Sequence, residues 1–102
     1  MILHCVFCNF RTNVTADQQQ DAMRALADFS MTLDGVLDFE FGPNRDFELK
    51  SQAFDQGFVI RFADADALHV YAEHPTHRKL GGQLASLCNG GGDGIIVFDL
   101  DV

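Results

Sequence analysis

The segments of this sequence that read as β-strands are apolar in both phases. Successive side chains on a strand point to opposite faces, so a sheet with one face in water carries polar residues at every second position. In residues 2–10, 57–62 and 95–100 that alternation is nearly absent. One phase holds His4, Val6, Cys8, Leu37, Phe39, Phe41, Phe58, Ile60, Phe62, Ile95, Val97 and Asp99, and the other holds Leu3, Cys5, Phe7, Val36, Asp38, Glu40, Val59, Arg61, Ile96, Phe98 and Leu100. The first, richer in aromatic rings, is assigned to the side covered by helices. Leaving the second in water would create a patch above the roughly 300 to 600 Å² that monomers usually show. A second copy of the chain is the economical cover, packed sheet to sheet in a symmetric homodimer through the outer sheet face.

Between the strands the helical signals are clear. Thr15 opens T-A-D-Q, a capping-box pattern, and Ala22, Leu26, Phe29 and Leu33 recur at helical spacing, which predicts a helix over 15–32. Leu37, Phe39 and Phe41 alternate with acidic residues until Gly42-Pro43 stops the strand. A polar loop over 43–55, anchored only by Phe47, Leu49 and Phe54, leads to the strand at 57–62. Asp64 or Asp66 caps a second helix in which Ala67, Val70, Tyr71 and His74 share a face. Pro75 interrupts it, and Leu80, Leu84 and Leu87 resume the spacing up to Asn89-Gly90. The order βαββαβ predicts an α+β, ferredoxin-like fold. It is a four-stranded antiparallel sheet with helices on one face, in a single domain over 1–102.

Charge narrows the partners. Fifteen acidic residues against seven scattered basic ones give a net charge of -8, with no basic patch for a phosphate backbone. Nucleic acid and membrane are therefore not expected partners. The opening MILHCVF is apolar but lacks a basic leader and meets His4 and Asn9 early, unlike a signal peptide or a membrane span. Three cysteines, an odd number, fit a reducing compartment, and a cytoplasmic location is expected.

Chemistry concentrates in YAEHPTH at 71–77. Proline lacks an amide hydrogen and fits the first turn of a helix, so Pro75 is expected to begin a new segment with His74 as its cap. Two readings follow. In one, Tyr71 is a core-edge aromatic and His77 a surface residue. In the other, the kink aims Tyr71, His74 and His77 into a pocket between helices and sheet, where His4 and Asp99 also point. An imidazole there can titrate near neutrality and a phenol can hold a carbonyl oxygen, a pairing suited to enolising a ketone. The rings of Phe29, Phe39, Phe58 and Phe62 either leave room above His77 or fill it.

The H-x-V at His4 and Val6, Gly35-Val36, Gly57-Phe58, the A-L-x-x-Y-x-x-H-P-x-H from Ala67 to His77, and Phe98-Asp99 resemble the stress-responsive A/B barrel (Dabb) family over essentially the whole chain. The resemblance extends to olivetolic acid cyclase, a plant polyketide cyclase. It implies a dimeric α/β barrel, a catalytic pair at Tyr71 and His77, and pocket positions at His4 and Asp99. His74 and Phe58 complete the expected substrate-binding set. The implied chemistry is a cyclase- or lyase-like step on a carbonyl-rich small molecule, with no cofactor and no metal. His77 would take a proton from a carbon flanked by carbonyls, and Tyr71 would steady the enolate. Two alternatives stand beside it: a non-enzymatic stress-responsive dimer or small-ligand binder, and a cofactor-free monooxygenase of the same architecture.

Three other signals carry less. Cys5-x-x-Cys8 resembles a redox or zinc motif, but an offset of three on a strand sends the sulfurs to opposite faces. His74-x-x-His77 with Glu73 has no fourth ligand, and Pro75 disturbs its spacing. NGGGDG at 89–94 follows a helix and opens a strand, the reverse of a phosphate loop, and reads as a connector.

Overall fold

Thr15 starts the first helix as its local sequence dictates. Its hydroxyl accepts the Gln18 N–H at 3.1 Å, and its own N–H donates to Gln18 Oε1 at 2.8 Å, closing the capping box. The computed structural model describes residues 1–102. Its elements are β1 (Ile2–Cys8), α1 (Ala16–Ser30), β2 (Val36–Pro43), β3 (Gln56–Phe62), α2 (Ala65–Glu73), α3 (Pro75–Ser86) and β4 (Ile95–Asp101), with a 3₁₀ turn at Gly91–Gly94. No helix is long and apolar enough to cross a membrane.

The strands form one antiparallel sheet in the order β2-β3-β1-β4, the ferredoxin-like α+β arrangement. Strand β1 is central: His4 lies opposite Ile60 on β3 and opposite Asp99 on β4. Val6, Cys8, Phe58, Ile60 and Phe62 from the sheet pack with Met23, Leu26, Tyr71 and Leu84 from the helices in one buried core. Each large side chain of that core stabilises the fold by about 1.5–3 kcal/mol through removal from water.

Two side chains expected on the core side are elsewhere. In β2, Val36 pairs with Phe62 and Asp38 with Arg61, so Leu37 is an extra, bulged residue. A bulge shifts the alternation by one, which turns Val36 onto the core and leaves Leu37 half exposed. In α2, Val70 is 59% exposed because the helix is rolled toward Leu68, which packs on the core with Ala67 and Tyr71. Strand β1 also stops at Cys8, two residues short of the apolar run, and Phe10 makes only an isolated bridge to Cys88.

The outer sheet face is apolar, as the second phase requires. Ile96, Phe98 and Leu100 on β4 remain 36%, 51% and 50% exposed, beside the half-buried Leu3, Cys5 and Phe7 of β1.

Gly35 joins the layers. It adopts φ +83°, a left-handed conformation that a side chain resists, and a Cβ there would lie 2.5 Å from Cβ of Ala67. Its carbonyl accepts the Ala63 N–H at 2.8 Å. Gly35→Ala is expected to lower stability by about 2 kcal/mol, read as a lower denaturation midpoint in urea with an unchanged slope.

Candidate functional site

The break between α2 and α3 begins with the amide hydrogen that Pro75 lacks. Asp64 caps α2 by accepting the Ala67 N–H at 2.9 Å, and the helix runs to Glu73. His74 then turns to an extended conformation and caps α3, its Nδ1 accepting the Thr76 N–H at 3.0 Å. In an unbroken helix Thr76 would donate to the Ala72 carbonyl. Here that carbonyl accepts from His77 Nδ1 instead, at 3.1 Å. A carbonyl can only accept, so His77 carries its proton on Nδ1 and, when neutral, leaves the lone pair on Nε2.

Burial lowers the His77 pKa from the usual histidine value. His4, Arg78 and His74 lower it further, and the Ala72 bond opposes them. Neutral imidazole is therefore the favoured form, with Nε2 as a proton acceptor. Gly81, one turn on, stands beside that nitrogen: a Cβ built there would lie 3.8 Å from it.

His4 is held differently. Paired across β1 and β4, its Nδ1 meets Asp99 Oδ1 at 2.6 Å, and only 13% of its side chain is exposed. A carboxylate accepts, so here too Nδ1 bears the hydrogen and Nε2 is the nitrogen left unpaired. The ring packs edge-on to Phe62 and Tyr71 at centroid distances of 6.0 and 5.8 Å.

Tyr71 lies between the two histidines, its ring 4.2 Å from that of His77. Its hydroxyl is buried without a hydrogen-bond partner in proper geometry, and so is the Ser30 hydroxyl. The two are close enough for Ser30 to lower the phenol's pKa, although burial outweighs this and raises it overall. Tyr71 is thus a neutral phenol. Its ring lines the cavity beside the imidazoles, but the oxygen has no surface open to a water-sized space.

That cavity, about 170 Å³, lies between the sheet and α1 and α3, with His4, Tyr71, His77 and Phe58 in its wall. Val6, Leu26, Leu84 and Ile95 supply apolar surface, and Val97, 46% exposed on the edge strand, stands at the rim. A larger hollow of about 890 Å³ lies on the outer face under the 43–55 loop, and its wall contains no histidine. The smaller cavity holds the groups able to move protons and is the candidate site.

The comparisons bear on the family and the fold. The model of the Stress Responsive A/B Barrel Domain matches residues 2–102. The chain belongs to that family. A dimeric ferredoxin-like protein of unknown function from Jannaschia sp. CCS1 is 42% identical, with 99% of this chain and 98% of that one covered and a TM-score of 0.92. Hydroxynitrile lyase from Passiflora edulis shares the fold at 11% identity, with 99% and 92% covered and a TM-score of 0.83. So does SnoaB, a cofactor-independent oxygenase from Streptomyces nogalater, at 11% identity, with 99% and 91% covered and a TM-score of 0.79. No curated protein matches the sequence.

Among the residues picked from the sequence of this Dabb-family chain, His4, Tyr71, His77 and Phe58 come together around the cavity. Asp99 supports His4 from behind, 47% exposed. His74 does not reach the cavity wall: one ring nitrogen caps α3 and the ring packs on Phe29 at 4.8 Å. Of the four phenylalanines that could have filled the space above His77, only Phe58 lines it; Phe39 stacks on Phe58 at 4.9 Å, leaving a small opening. Leu26, Leu84 and Ser30 were missed as site residues. Helical spacing marked Leu26 and Leu84 as inward, and Ser30 follows Leu26 by one turn. Cys8 and Cys5 are separated as strand geometry requires, and Cys8 instead lies against Cys88, its thiol pushed up to about 12 by burial and then by that neighbour. No cluster of three or more His, Cys, Asp or Glu is placed to hold a metal ion.

The lowered His77 pKa gives a signed expectation. The unfolded chain binds more protons on this residue, so stability falls as pH drops from the ordinary 6.5 through the folded midpoint and is indifferent to this group above 6.5. In an NMR titration of the histidine ring protons, His77 should titrate with a midpoint below 6.5. A midpoint above that value would mean that the ring is solvated or paired with an anion.

Proposed function

We propose that this protein is a homodimer whose helix-side cavity catalyses cofactor-independent proton transfer on a small, neutral carbonyl compound, a lyase- or cyclase-like step. The observation that carries this reading is the opposite setting of two imidazoles in one cavity. His77 rests on a neutral carbonyl in a desolvated place that disfavours charge. His4 rests on a carboxylate, so that a proton added at its Nε2 has its charge met at 2.6 Å. An imidazole with a free lone pair and a second imidazole backed by a carboxylate are the two parts that moving a proton off and onto a carbonyl compound needs.

In the reaction, a C–H beside the carbonyl gives its proton to His77 Nε2. The bonding pair moves through the carbon framework to the carbonyl oxygen, and that oxygen takes the proton from His4 Nε2, giving the enol. The enol carbon then attacks a second carbonyl carbon of the same substrate. The π pair of that carbonyl moves to its oxygen, which takes the proton held on His77 Nε2, while the enol O–H gives its proton back to His4 Nε2 and becomes the carbonyl again. Return of a proton to His4 and its release from His77 reset the pair. Tyr71 acts as a positioning residue: its ring holds the His77 imidazole, while its oxygen stays with Ser30. Phe58 forms the floor on the sheet side.

The walls restrict the substrate. A volume of about 170 Å³ is close to the roughly 150 Å³ that accommodates a benzene ring. A long polyketide chain does not fit within it. No lysine or arginine lines the cavity, so a carboxylate or phosphate would enter without compensation. The lyase and the oxygenase that share the fold place no constraint beyond architecture. The dimer is supported by the apolar outer face and by the dimeric relative from Jannaschia, and three free thiols are in keeping with a reducing cytoplasm.

The test is hydrogen–deuterium exchange at the carbon beside the carbonyl, followed by NMR for a panel of small aldehydes and ketones in D₂O. The wild-type chain should accelerate exchange, His77→Gln should lower the acceleration by about 100-fold or more, and Tyr71→Phe should keep most of it. Equal losses in Tyr71→Phe and His77→Gln would place the phenol on the substrate. No exchange with any compound of the panel would sink the enzymatic reading and leave the ligand-binding or structural one.

A further inference from the structure

The stripe of α3 that faces the cavity consists of His77, Gly81 and Leu84, which helical spacing stacks one above the other. The middle member has no side chain. Glycine is, after proline, the residue least suited to a helix interior, and Gly81 lies midway along α3. The packing of the chain does not demand it. Apart from the backbone of its own helix, a Cβ on Gly81 would meet only the His77 ring, 3.8 Å from Nε2 and 4.0 Å from Cε1, which is ordinary van der Waals contact. Gly35 is the contrast, since a Cβ there would fall 2.5 Å from Cβ of Ala67. Alanine would fit at position 81 and make a better helix.

What the glycine provides is room in the cavity wall beside the nitrogen that holds the free lone pair. A methyl group takes up roughly the 30 Å³ share of one water molecule, a sizeable part of about 170 Å³. The cavity approaches the roughly 150 Å³ that holds a benzene ring only while that slot is open. A compound the size of acetone does not need it. A ring or branched ketone must place part of its frame there to bring the carbon beside its carbonyl to Nε2, because the other walls, Leu26, Leu84 and Phe58, are fixed in the buried core. Gly82 weakens the helix to the same degree but is exposed, does not line the cavity, and would have nothing within 4 Å of a Cβ. It is the internal control.

We infer that Gly81 is a specificity-determining residue, whose missing side chain is the slot that lets His77 act on ring-sized or branched ketones. The inference rests on the proton-transfer reading above and names the substrate class within it: compact, uncharged ketones of about the bulk of benzene, rather than acetone-sized compounds or long chains. The helix gives up stability at position 81, and the cavity gains room at the place where the proton is taken. A single carbon more or less in an apolar wall discriminates between substrates by roughly 10- to 200-fold.

Deuterium exchange at the carbon beside the carbonyl, followed by NMR in D₂O with acetone and with cyclohexanone, reads the slot. Wild type should accelerate both. Gly81→Ala should lose at least about tenfold on cyclohexanone and keep acetone within about twofold, whereas Gly82→Ala should keep both. Each variant should hold or raise the urea midpoint, and in Gly81→Ala the new methyl group should show a nuclear Overhauser contact to the Cε1 proton of His77. Equal losses on the two ketones, an unchanged cyclohexanone rate, the same loss in Gly82→Ala, or a missing Overhauser contact overturns the role of Gly81 and leaves the His4 and His77 pair standing. So does a lower midpoint in Gly81→Ala, which would make the glycine a packing requirement, and so does a wild type that accelerates acetone alone. A wild type that accelerates neither ketone sinks the proton-transfer reading itself, and the slot with it.

Discussion

The candidate site depends on one missing hydrogen. Pro75 cannot donate, so the helix that begins at Ala65 stops and a new one starts from His74. Because His74 takes the Thr76 N–H, the Ala72 carbonyl is left to accept from a side chain rather than from the backbone. The side chain within reach is His77, and this one bond selects its tautomer and leaves Nε2 free beside Gly81, with the ring against Tyr71. A continuous helix would satisfy the Ala72 carbonyl internally, and His77 would be free to choose either nitrogen.

The sheet supplies the other half by a different constraint. Because β1 is central and apolar in both phases, a polar side chain on its helix side must find its partner inside the fold. His4 finds it in Asp99, directly across the register on the edge strand, where the carboxylate keeps contact with water. One imidazole is thus set by helix chemistry and the other by strand pairing, and they meet at a cavity that both layers enclose. Val97, half exposed on the edge strand β4, stands at its rim.

Much of this was legible from residues alone. The capping box at Thr15, the cap at Asp64 and the break at Pro75 are local: each depends on atoms within four residues, so sequence spacing suffices to place them. The strand phases put His4 and Asp99 on the helix side correctly, since alternation is a property of one strand. They failed at Leu37, where a bulge inserts a residue that no pattern announces, and at Val70, where the roll of α2 is set by what the sheet offers rather than by the helix. His74 was read as a pocket residue because its spacing matched Tyr71; the cap it forms turns it away.

The amino-acid sequence by itself determined that this chain must make a sheet apolar on both faces, that its helix must break at Pro75, and that two histidines, a tyrosine and an aspartate belong to the helix side of that sheet. These follow from periodicities of two and 3.6 and from the chemistry of proline, which act over a few residues. Tertiary structure alone decided how much room is left. The size of the cavity, the nitrogen on which each histidine holds its hydrogen, the turning of the Tyr71 oxygen toward Ser30 and the meeting of Cys8 with Cys88 are outcomes of packing between segments far apart in the chain. Volumes and tautomers are set by which atoms arrive next to one another, and no spacing along the chain encodes that.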